Sequence, residues 1–294
     1  MNSLLSVDDF NKKEFKALLD RALFFKSSND YPQYDKSIVN LFFENSTRTK
    51  YSFLKAEKNL GLDIIDFAAD RSSLNKGESL YDTLLTFKAL GVDMAVIRHP
   101  EDKFYEELEG LKMPIINAGA GCGEHPSQSL LDMMTIYEEF KSFQGLKIAI
   151  VGDLKHSRVA KSNMKLLKNL GASLYFVSPE NYQEPIFSDY GEYVELDEII
   201  EDLDVVMLLR IQHERHDSQY NNENYCERYG LNKKRYEKMG EKAIIMHPGP
   251  INRNVEISEE LIEAKKSRFV MQMTNGLYMR MAIIEHLILK SENL

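Results

Sequence analysis

Short runs of consecutive apolar residues alternate along the chain with longer stretches in which apolar residues recur at helical spacing. A short continuous apolar run is typical of a strand buried on both faces, whereas the helical spacing is typical of an amphipathic helix. The predicted strands lie at 38–43, 63–67, 92–97 and 114–117, and then at 147–151, 173–177, 205–209 and 243–246. The main predicted helices cover 7–26, 47–60, 78–90, 126–140, 157–170 and 275–290.

This alternation predicts an α/β protein with two α/β domains, each a mainly parallel sheet flanked by helices. We place the domains at 1–138 and 139–270, and expect 271–294 to form a C-terminal helix that packs back on the first domain. The polar stretch 211–230 is too long for a routine connection and is a candidate binding loop. Ligands of open parallel sheets bind at the carboxyl ends of the strands, so we expect the active site in the cleft between the domains.

Composition narrows the range of functions. Of the 294 residues, 43% are hydrophobic and 28% are charged, which is typical of a soluble globular protein. The formal net charge of −9 argues against nucleic acid as the main partner. No apolar run reaches membrane-spanning length and residues 1–10 do not resemble a signal peptide, so we expect a cytoplasmic location and no membrane partner. The two cysteines give neither a disulfide framework nor metal-ligand spacing.

Polar residues follow the predicted strands at many of their carboxyl ends. Four arginines share this placement, and they imply an anionic ligand with several carboxylate or phosphate groups: Arg48, Arg98, Arg158 and Arg210. Residues 46–49 also begin a predicted helix, whose free N–H groups and dipole favour a phosphate. The alternative for this stretch is an ordinary Ser/Thr helix cap beside a surface arginine.

Two further side chains suit a carbonyl substrate. His125 precedes a helix-starting proline and could orient or protonate a carbonyl oxygen, and Gln128 lies one turn later on the same side. The chain lacks the GxxxxGK[ST], GxGxxG and GxSxG patterns, and neither cysteine has an interpretable histidine partner. The mechanisms that these residues still allow are electrostatic catalysis and the positioning of two anionic or polar substrates.

Two motifs resemble one family closely. Residues 43–49 read F-E-N-S-T-R-T, similar to the S-T-R-T carbamoyl-phosphate motif of the aspartate and ornithine carbamoyltransferases. Residues 125–132 read H-P-S-Q-S-L-L-D, similar to the H-P-x-Q-x-L-x-D motif of the same family. Both motifs in this order are highly specific, and the likeness extends over essentially the whole chain.

Three other stretches resemble the aspartate members rather than the ornithine members. They read S-S-L-N-K-G-E at 72–78, R-I-Q-H-E-R at 210–215 and H-P-G-P at 247–250. Ornithine members typically carry an H-C-L-P turn and an S-M-G segment, which this chain lacks. Gly249 stands where many relatives have leucine, but this position acts through its backbone carbonyl.

The resemblance implies roles in binding carbamoyl phosphate. The phosphate would be held by Ser46, Thr47, Arg48 and Thr49. The carbonyl oxygen would accept hydrogen bonds from Thr49, Arg98 and His125, with Arg48 completing the catalytic set. The carbamoyl NH₂ group would be bound by Gln128 and by the backbone carbonyls near Gly249 and Pro250.

The resemblance also implies how L-aspartate binds and how subunits assemble. The two carboxylates of L-aspartate would be bound by Arg158, Arg210 and Gln212. Lys76, with a serine of the same loop, would come from a neighbouring subunit, which makes the protein a homotrimer with shared active sites. Glu44 would pair with Arg158 and Arg215 across the domains.

The reaction implied is transfer of the carbamoyl group to the α-amino group of L-aspartate, the second step of de novo pyrimidine synthesis, with no metal or organic cofactor. Alternatives are another amine acceptor such as ornithine or putrescine, an inactive family member that acts as a binding module, and a dinucleotide-binding enzyme. The missing glycine pattern disfavours the last. The sequence leaves open whether a regulatory chain or a dihydroorotase associates.

Overall fold

The computed structural model describes residues 2–65, 67–68, 77–211 and 222–292. The chain divides into two compact units. The first unit is Met1–Met134 together with Met273–Leu294, and the second unit is Thr135–Gln272. The division after Met134 lies inside a helix, upstream of the boundary that we placed at 138 from the sequence.

A parallel sheet forms the centre of the first unit. Its strands are β1 (Ser37–Phe42), β2 (Asp63–Ile65), β3 (Met94–His99) and β4 (Ile115–Ala120). They lie in the order β2-β1-β3-β4. Phe42 pairs with Arg98 at the carboxyl ends of β1 and β3, so the two loops that leave these strands start side by side.

Helices flank this sheet. They are α1 (Lys12–Ser27), α2 (Arg48–Asn59), α3 (Leu80–Ala89), and parts of α4 (Pro126–Phe140) and α9 (Phe269–Ser291). The apolar residues whose spacing predicted the first helix are all buried: Phe15, Leu18, Leu19, Ala22 and Phe25. The predicted helix at 7–26 is divided, because the side chains of Ser6 and Asn11 each cap a separate start.

The second unit contains another parallel sheet. Its strands are β5 (Lys147–Val151), β6 (Ser173–Val177), β7 (Gly191–Tyr193), β8 (Val205–Leu208) and β9 (Ile244–Met246), in the order β7-β6-β5-β8-β9. The other helices are α5 (Arg158–Leu170), α6 (Leu196–Ile199), α7 (Asn222–Arg228) and α8 (Lys233–Lys238). The predicted α/β class with mainly parallel sheets is confirmed.

Three further elements differ from the sequence expectation. Helix α7 lies within the stretch 211–230 that we predicted as a loop. It was not predicted because its sequence is mostly polar and does not show that Tyr225 is buried. Strand β7 was not predicted, since its sequence Gly-Glu-Tyr contains no apolar run. Helix α9 begins at Phe269 rather than at Asn275. The polar residues Gln272 and Asn275 interrupt its apolar pattern, although both are buried.

None of the described helices is both long and apolar enough to cross a membrane.

Candidate active site

The turn between β1 and α2 leaves the start of the helix without a side-chain cap. Helix α2 begins at Arg48, and Thr47 precedes it with φ −82° and ψ −57° and makes no side-chain cap hydrogen bond. The first N–H groups of an α-helix have no partner within the helix. An anion can therefore bind them where a cap would otherwise do so. The side chain of Thr47 therefore does not cap this helix.

Neighbouring hydrogen bonds hold this turn in place. The backbone N–H of Phe43 donates to the carbonyl of Arg98 over 2.9 Å, which extends the pairing of β1 and β3 beyond the strands. Within the helix, Ser52 Oγ donates to the carbonyls of Arg48 and Thr49 over 2.7 and 3.0 Å. Thr49 is buried, whereas Arg48 and Ser46 are half-buried and Thr47 is exposed. The helix start is thus accessible on a fixed backbone.

Arg98 lies beside this turn and contacts an acidic residue from it. Arg98 Nε donates to Glu44 Oε2 over 3.1 Å, and the two side chains are 16% and 18% exposed. The partners that the sequence suggested for Glu44 were Arg158 and Arg215. Arg215 lies outside the described residues. The ion pair between Glu44 and Arg98 was therefore not predicted from the sequence.

The start of α4 brings His125 and Gln128 together on the first unit. The His125 carbonyl accepts from the N–H groups of Gln128 and Ser129 over 3.0 and 3.1 Å. The His125 ring is buried, with Nδ1 3.4 Å from Ser127 Oγ. Gln128 Nε2 donates to Asp132 Oδ1 over 2.9 Å. Because Asp132 binds the Gln128 amide nitrogen, the Gln128 amide oxygen can act as the acceptor. A carbamoyl NH₂ group, which the resemblance implies as the ligand, needs such an acceptor.

A buried arginine that the sequence did not predict as a site residue lies near this group. Arg280 on α9 is 3% exposed, and its guanidinium lies 5.0 Å from the centre of the Phe53 ring. Burial lowers the pKa of Arg280 to about 9, the Asp132 carboxylate counteracts this, and Arg98 adds to it. Arg280 is thus still charged at neutral pH. The sequence feature that could have identified Arg280 is its position within an otherwise apolar helical pattern.

The second unit positions two of the predicted arginines. Arg158 is the first residue of α5, whose start is capped by Ser157 Oγ accepting from the Ala160 N–H over 3.1 Å. Arg158 and Arg210 are both half-buried, and Arg210 follows β8 by two residues. Each thus extends from the carboxyl end of a strand or the adjacent helix start, as predicted.

The turn at 247–250 follows β9 and is held by hydrogen bonds. His247 Nδ1 accepts from the Gly249 N–H over 2.9 Å, and Gln272 Oε1 accepts from the His247 N–H over 2.9 Å. Gly249 has φ +65°, a conformation that a leucine adopts only with strain. Gly249 is half-buried and Pro250 is exposed. Gln272 was not predicted as part of this turn, because its partner His247 is distant from it in the chain.

The predicted site residues fall into two groups, one in each unit. The first unit holds Glu44, Ser46, Thr47, Arg48, Thr49, Arg98, His125 and Gln128. The second unit holds Arg158, Arg210, Gly249 and Pro250. Lys76, Gln212 and Arg215 lie outside the described residues.

Comparison with known proteins identifies the family. Residues 2–138 match the model "Aspartate/ornithine carbamoyltransferase, carbamoyl-P binding domain", and residues 144–287 match "Aspartate/ornithine carbamoyltransferase, Asp/Orn binding domain". The chain is 55% identical to the aspartate carbamoyltransferase catalytic subunit of Ligilactobacillus salivarius, covering 97% of this chain and 94% of that protein.

Solved structures agree with this result. The catalytic subunit of M. jannaschii aspartate transcarbamoylase superposes with a TM-score of 0.88 at 34% identity and covers 100% of both chains. Aspartate transcarbamoylase from Trypanosoma cruzi, in complex with carbamoyl aspartate and phosphate, gives a TM-score of 0.85 at 33% identity over 96% of this chain and 94% of that chain. The resemblance inferred from the motifs is confirmed: the chain belongs to the aspartate/ornithine carbamoyltransferase family.

Proposed function

We propose that this protein transfers the carbamoyl group of carbamoyl phosphate to the α-amino group of L-aspartate, giving N-carbamoyl-L-aspartate and phosphate. The observation that carries this proposal is the uncapped start of α2 beside Arg98, in a chain that is 55% identical to an aspartate carbamoyltransferase catalytic subunit. The relative's name supports aspartate as the acceptor instead of ornithine.

The phosphate binds at the start of α2. Its oxygens accept from the N–H groups and side chains of Ser46, Thr47, Arg48 and Thr49. The helix dipole and the Arg48 guanidinium both favour the negative charge, and a planar guanidinium can bind two oxygens at once. A phosphate held in this way is a better leaving group, because its developing charge is already compensated.

The carbonyl oxygen of the carbamoyl group accepts from Thr49, Arg98 and His125. These donors draw electrons from the carbonyl carbon and stabilise the negative charge that develops on the oxygen in the tetrahedral intermediate. Gln128 and the carbonyls near Gly249 and Pro250 accept from the carbamoyl NH₂ group and orient the carbon for attack. Asp132 and Arg280 act through Gln128, whose amide nitrogen is held by Asp132.

L-Aspartate binds through its two carboxylates to Arg158, Arg210 and Gln212, with Lys76 as a further cation. Its neutral α-amino nitrogen attacks the carbonyl carbon, a C–N bond forms, and the bond from that carbon to the phosphate oxygen breaks. The amine proton passes to the leaving phosphate, because the oxygen that bridged carbon and phosphorus gains negative charge as its bond to carbon breaks and so becomes a base.

The wider biological role follows from the same assignment. We propose that residues 1–138 form the carbamoyl-phosphate domain, that 139–270 form the aspartate domain, and that 271–294 belong with the first. The enzyme acts as a cytoplasmic homotrimer in the second step of pyrimidine synthesis, with Lys76 supplied by the neighbouring subunit. We further propose that Glu44 pairs with Arg158 and Arg215 across the domains and holds the closed form.

An acceptor panel tests the function. The purified chain is assayed with carbamoyl phosphate and, separately, L-aspartate, L-ornithine and putrescine. We expect carbamoylation of L-aspartate at a kcat/KM at least a hundredfold above the other two amines, since arginines that bind carboxylates repel a cationic acceptor. Preferred carbamoylation of ornithine or putrescine would overturn the roles of Arg158 and Arg210.

A further inference from the structure

A buried carboxylate in the second unit has no part in the mechanism above. Glu256 is 2% exposed. Its Oε1 accepts from the Ile211 N–H over 2.8 Å and from Asn252 Nδ2 over 2.7 Å, and its Oε2 accepts from the Asn252 N–H over 2.8 Å. A buried charge is costly unless donors surround it. Three short hydrogen bonds meet that requirement here.

These donors come from two loops that leave adjacent strands. Ile211 directly follows Arg210 after β8, and Asn252 lies two residues beyond the 247–250 turn that follows β9. Strands β8 and β9 pair directly, with Met207 opposite Met246. Asn252 Nδ2 also donates to the Ile211 carbonyl over 3.2 Å, so both backbone polar groups of Ile211 are engaged. Glu256 and Asn252 thus fix the two loops to one another.

The carboxylate also faces the histidine of the turn. Glu256 Oε2 lies 3.8 Å from His247 Nε2, on the ring whose Nδ1 accepts from the Gly249 N–H. The His247 ring, the residue that follows Arg210 and the residue two positions after the turn therefore all lie against one buried carboxylate. A shift of Glu256 would move the turn and the strand exit relative to each other.

We propose that Glu256 is a positioning residue that sets the spacing between Arg210 and the carbonyls of Gly249 and Pro250. This inference rests on the proposed function, in which Arg210 binds a carboxylate of L-aspartate and the two carbonyls hold the carbamoyl NH₂ group. Their separation decides whether the amine meets the carbonyl carbon, so Glu256 acts on the acceptor half of the reaction. Inorganic phosphate, bound by first-unit residues, does not depend on it.

The test compares Glu256→Gln with a matched control, Glu259→Gln. Glutamine keeps the shape but replaces one acceptor oxygen with an NH₂ group that opposes the Asn252 N–H. Glu259 lies in the same segment but is exposed, with 59% of its side chain accessible in its pair with Arg253. For Glu256→Gln we expect the KM for L-aspartate to rise and kcat to fall, by roughly tenfold or more in kcat/KM, from lost charge-assisted hydrogen bonds. The phosphate Kd, by calorimetry, stays within twofold.

Asn252→Ala gives an independent reading, because it removes the side-chain bridge to Ile211 but keeps the carboxylate. We expect a smaller change in the same direction, which supports the proposal even where Glu256→Gln fails to fold. A lowered melting temperature with an unchanged KM for L-aspartate in both variants would show a merely structural role and overturn it. Activity in the wild type and in Glu259→Gln shows that the proposed function stands whatever the Glu256 result, while a wild type without turnover overturns both.

Discussion

Glu44 and Arg98 form an ion pair beside the turn between β1 and α2, with Arg98 Nε 3.1 Å from Glu44 Oε2. The pair exists because Phe42 lies opposite Arg98 in the sheet, which puts the residues after β1 next to the end of β3. A carboxylate at this place competes with an anionic substrate for the guanidinium. The pair therefore fixes Arg98 beside the start of α2, and the Glu44 carboxylate would repel a phosphate that binds at that helix start as proposed.

Replacing Glu44 by glutamine should tighten the binding of inorganic phosphate. Removing a like charge several ångströms from the anion in a partly exposed site relieves about 1 kcal/mol of repulsion. This corresponds to a Kd lowered by about fivefold, measured by calorimetry. Glu109→Gln, at an exposed position of the same unit, should leave the Kd unchanged. Weaker or unaltered phosphate binding in Glu44→Gln would show that the pair does not oppose the ligand.

Glu57 should make the stability of the protein depend on pH. It is 0% exposed on α2 and accepts from Asn40 Nδ2 over 2.8 Å. Burial raises the pKa of Glu57 from 4.5 to about 7, against a smaller opposing effect of the Asn40 hydrogen bond. Glu57 Oε1 is a buried acceptor that no described donor reaches, which is consistent with a protonated carboxyl group at this position.

A raised pKa in the folded state means that protonation stabilises the fold. This contribution is complete below the ordinary value of 4.5 and is lost as the pH rises through about 7. The free energy of unfolding should fall by about 1.4 kcal/mol per pH unit inside this window. Urea denaturation of wild type and Glu57→Gln across the window measures the difference. Parallel pH profiles for the two proteins would mean that Glu57 is charged in the folded state.

Arg280 should be essential for stability as well as for the orientation of Gln128. Arg280→Met leaves Asp132 as a buried carboxylate without this compensating charge, at a cost of about 3 kcal/mol or more in the free energy of unfolding. Arg253→Met, at an exposed ion pair, should change it by less than about 0.5 kcal/mol.

Adding Asp132→Asn to Arg280→Met should restore part of the lost stability, because the uncompensated charge is then removed. Equilibrium denaturation of wild type, the two single variants and the double variant gives a double-mutant cycle for this pair. Strictly additive losses would mean that the two side chains do not interact.

Arg48→Ala and Lys76→Ala proteins should complement each other. Each alone is nearly inactive if the roles proposed above hold. In mixtures that exchange subunits, a site built from the intact Arg48 of one chain and the intact Lys76 of another regains activity. Gel filtration of differently tagged chains verifies the exchange. A mixture that exchanges but stays inactive would argue against sites shared between subunits.

The strands were predictable because parallel strands are buried on both faces and leave continuous apolar runs. Fully buried β4 and the buried centre of β1 show this directly. Helix α7 was not predictable, since its burial depends on Tyr225 packing in a polar segment. The start of α9 was obscured by Gln272 and Asn275, whose buried amides bond to His247 and Lys26.

The residues of the candidate site also differ in how far the sequence could predict them. Arg48, Arg98 and His125 could be proposed as site residues because they follow predicted strands, and Arg48 and His125 also lie in recognisable motifs. Arg280 and Glu256 could not, because a charged residue in a sequence is read as exposed unless its partner is known. Their partners are supplied by the fold: Asp132 lies on another helix, and Ile211 follows another strand.

Carbon-13 NMR of carbamoyl transfer tests the central claim most directly. Wild-type protein and Arg48→Ala are each incubated with ¹³C-labelled carbamoyl phosphate and L-aspartate, and Lys55→Ala, an exposed change on the same helix, is the control. We predict that wild type and Lys55→Ala convert the label to N-carbamoyl-L-aspartate with one phosphate released per product. Arg48→Ala should do so at least about a hundredfold more slowly with its fold intact. A near-normal rate in Arg48→Ala, or phosphate release without N-carbamoyl-L-aspartate in the wild type, would contradict the account.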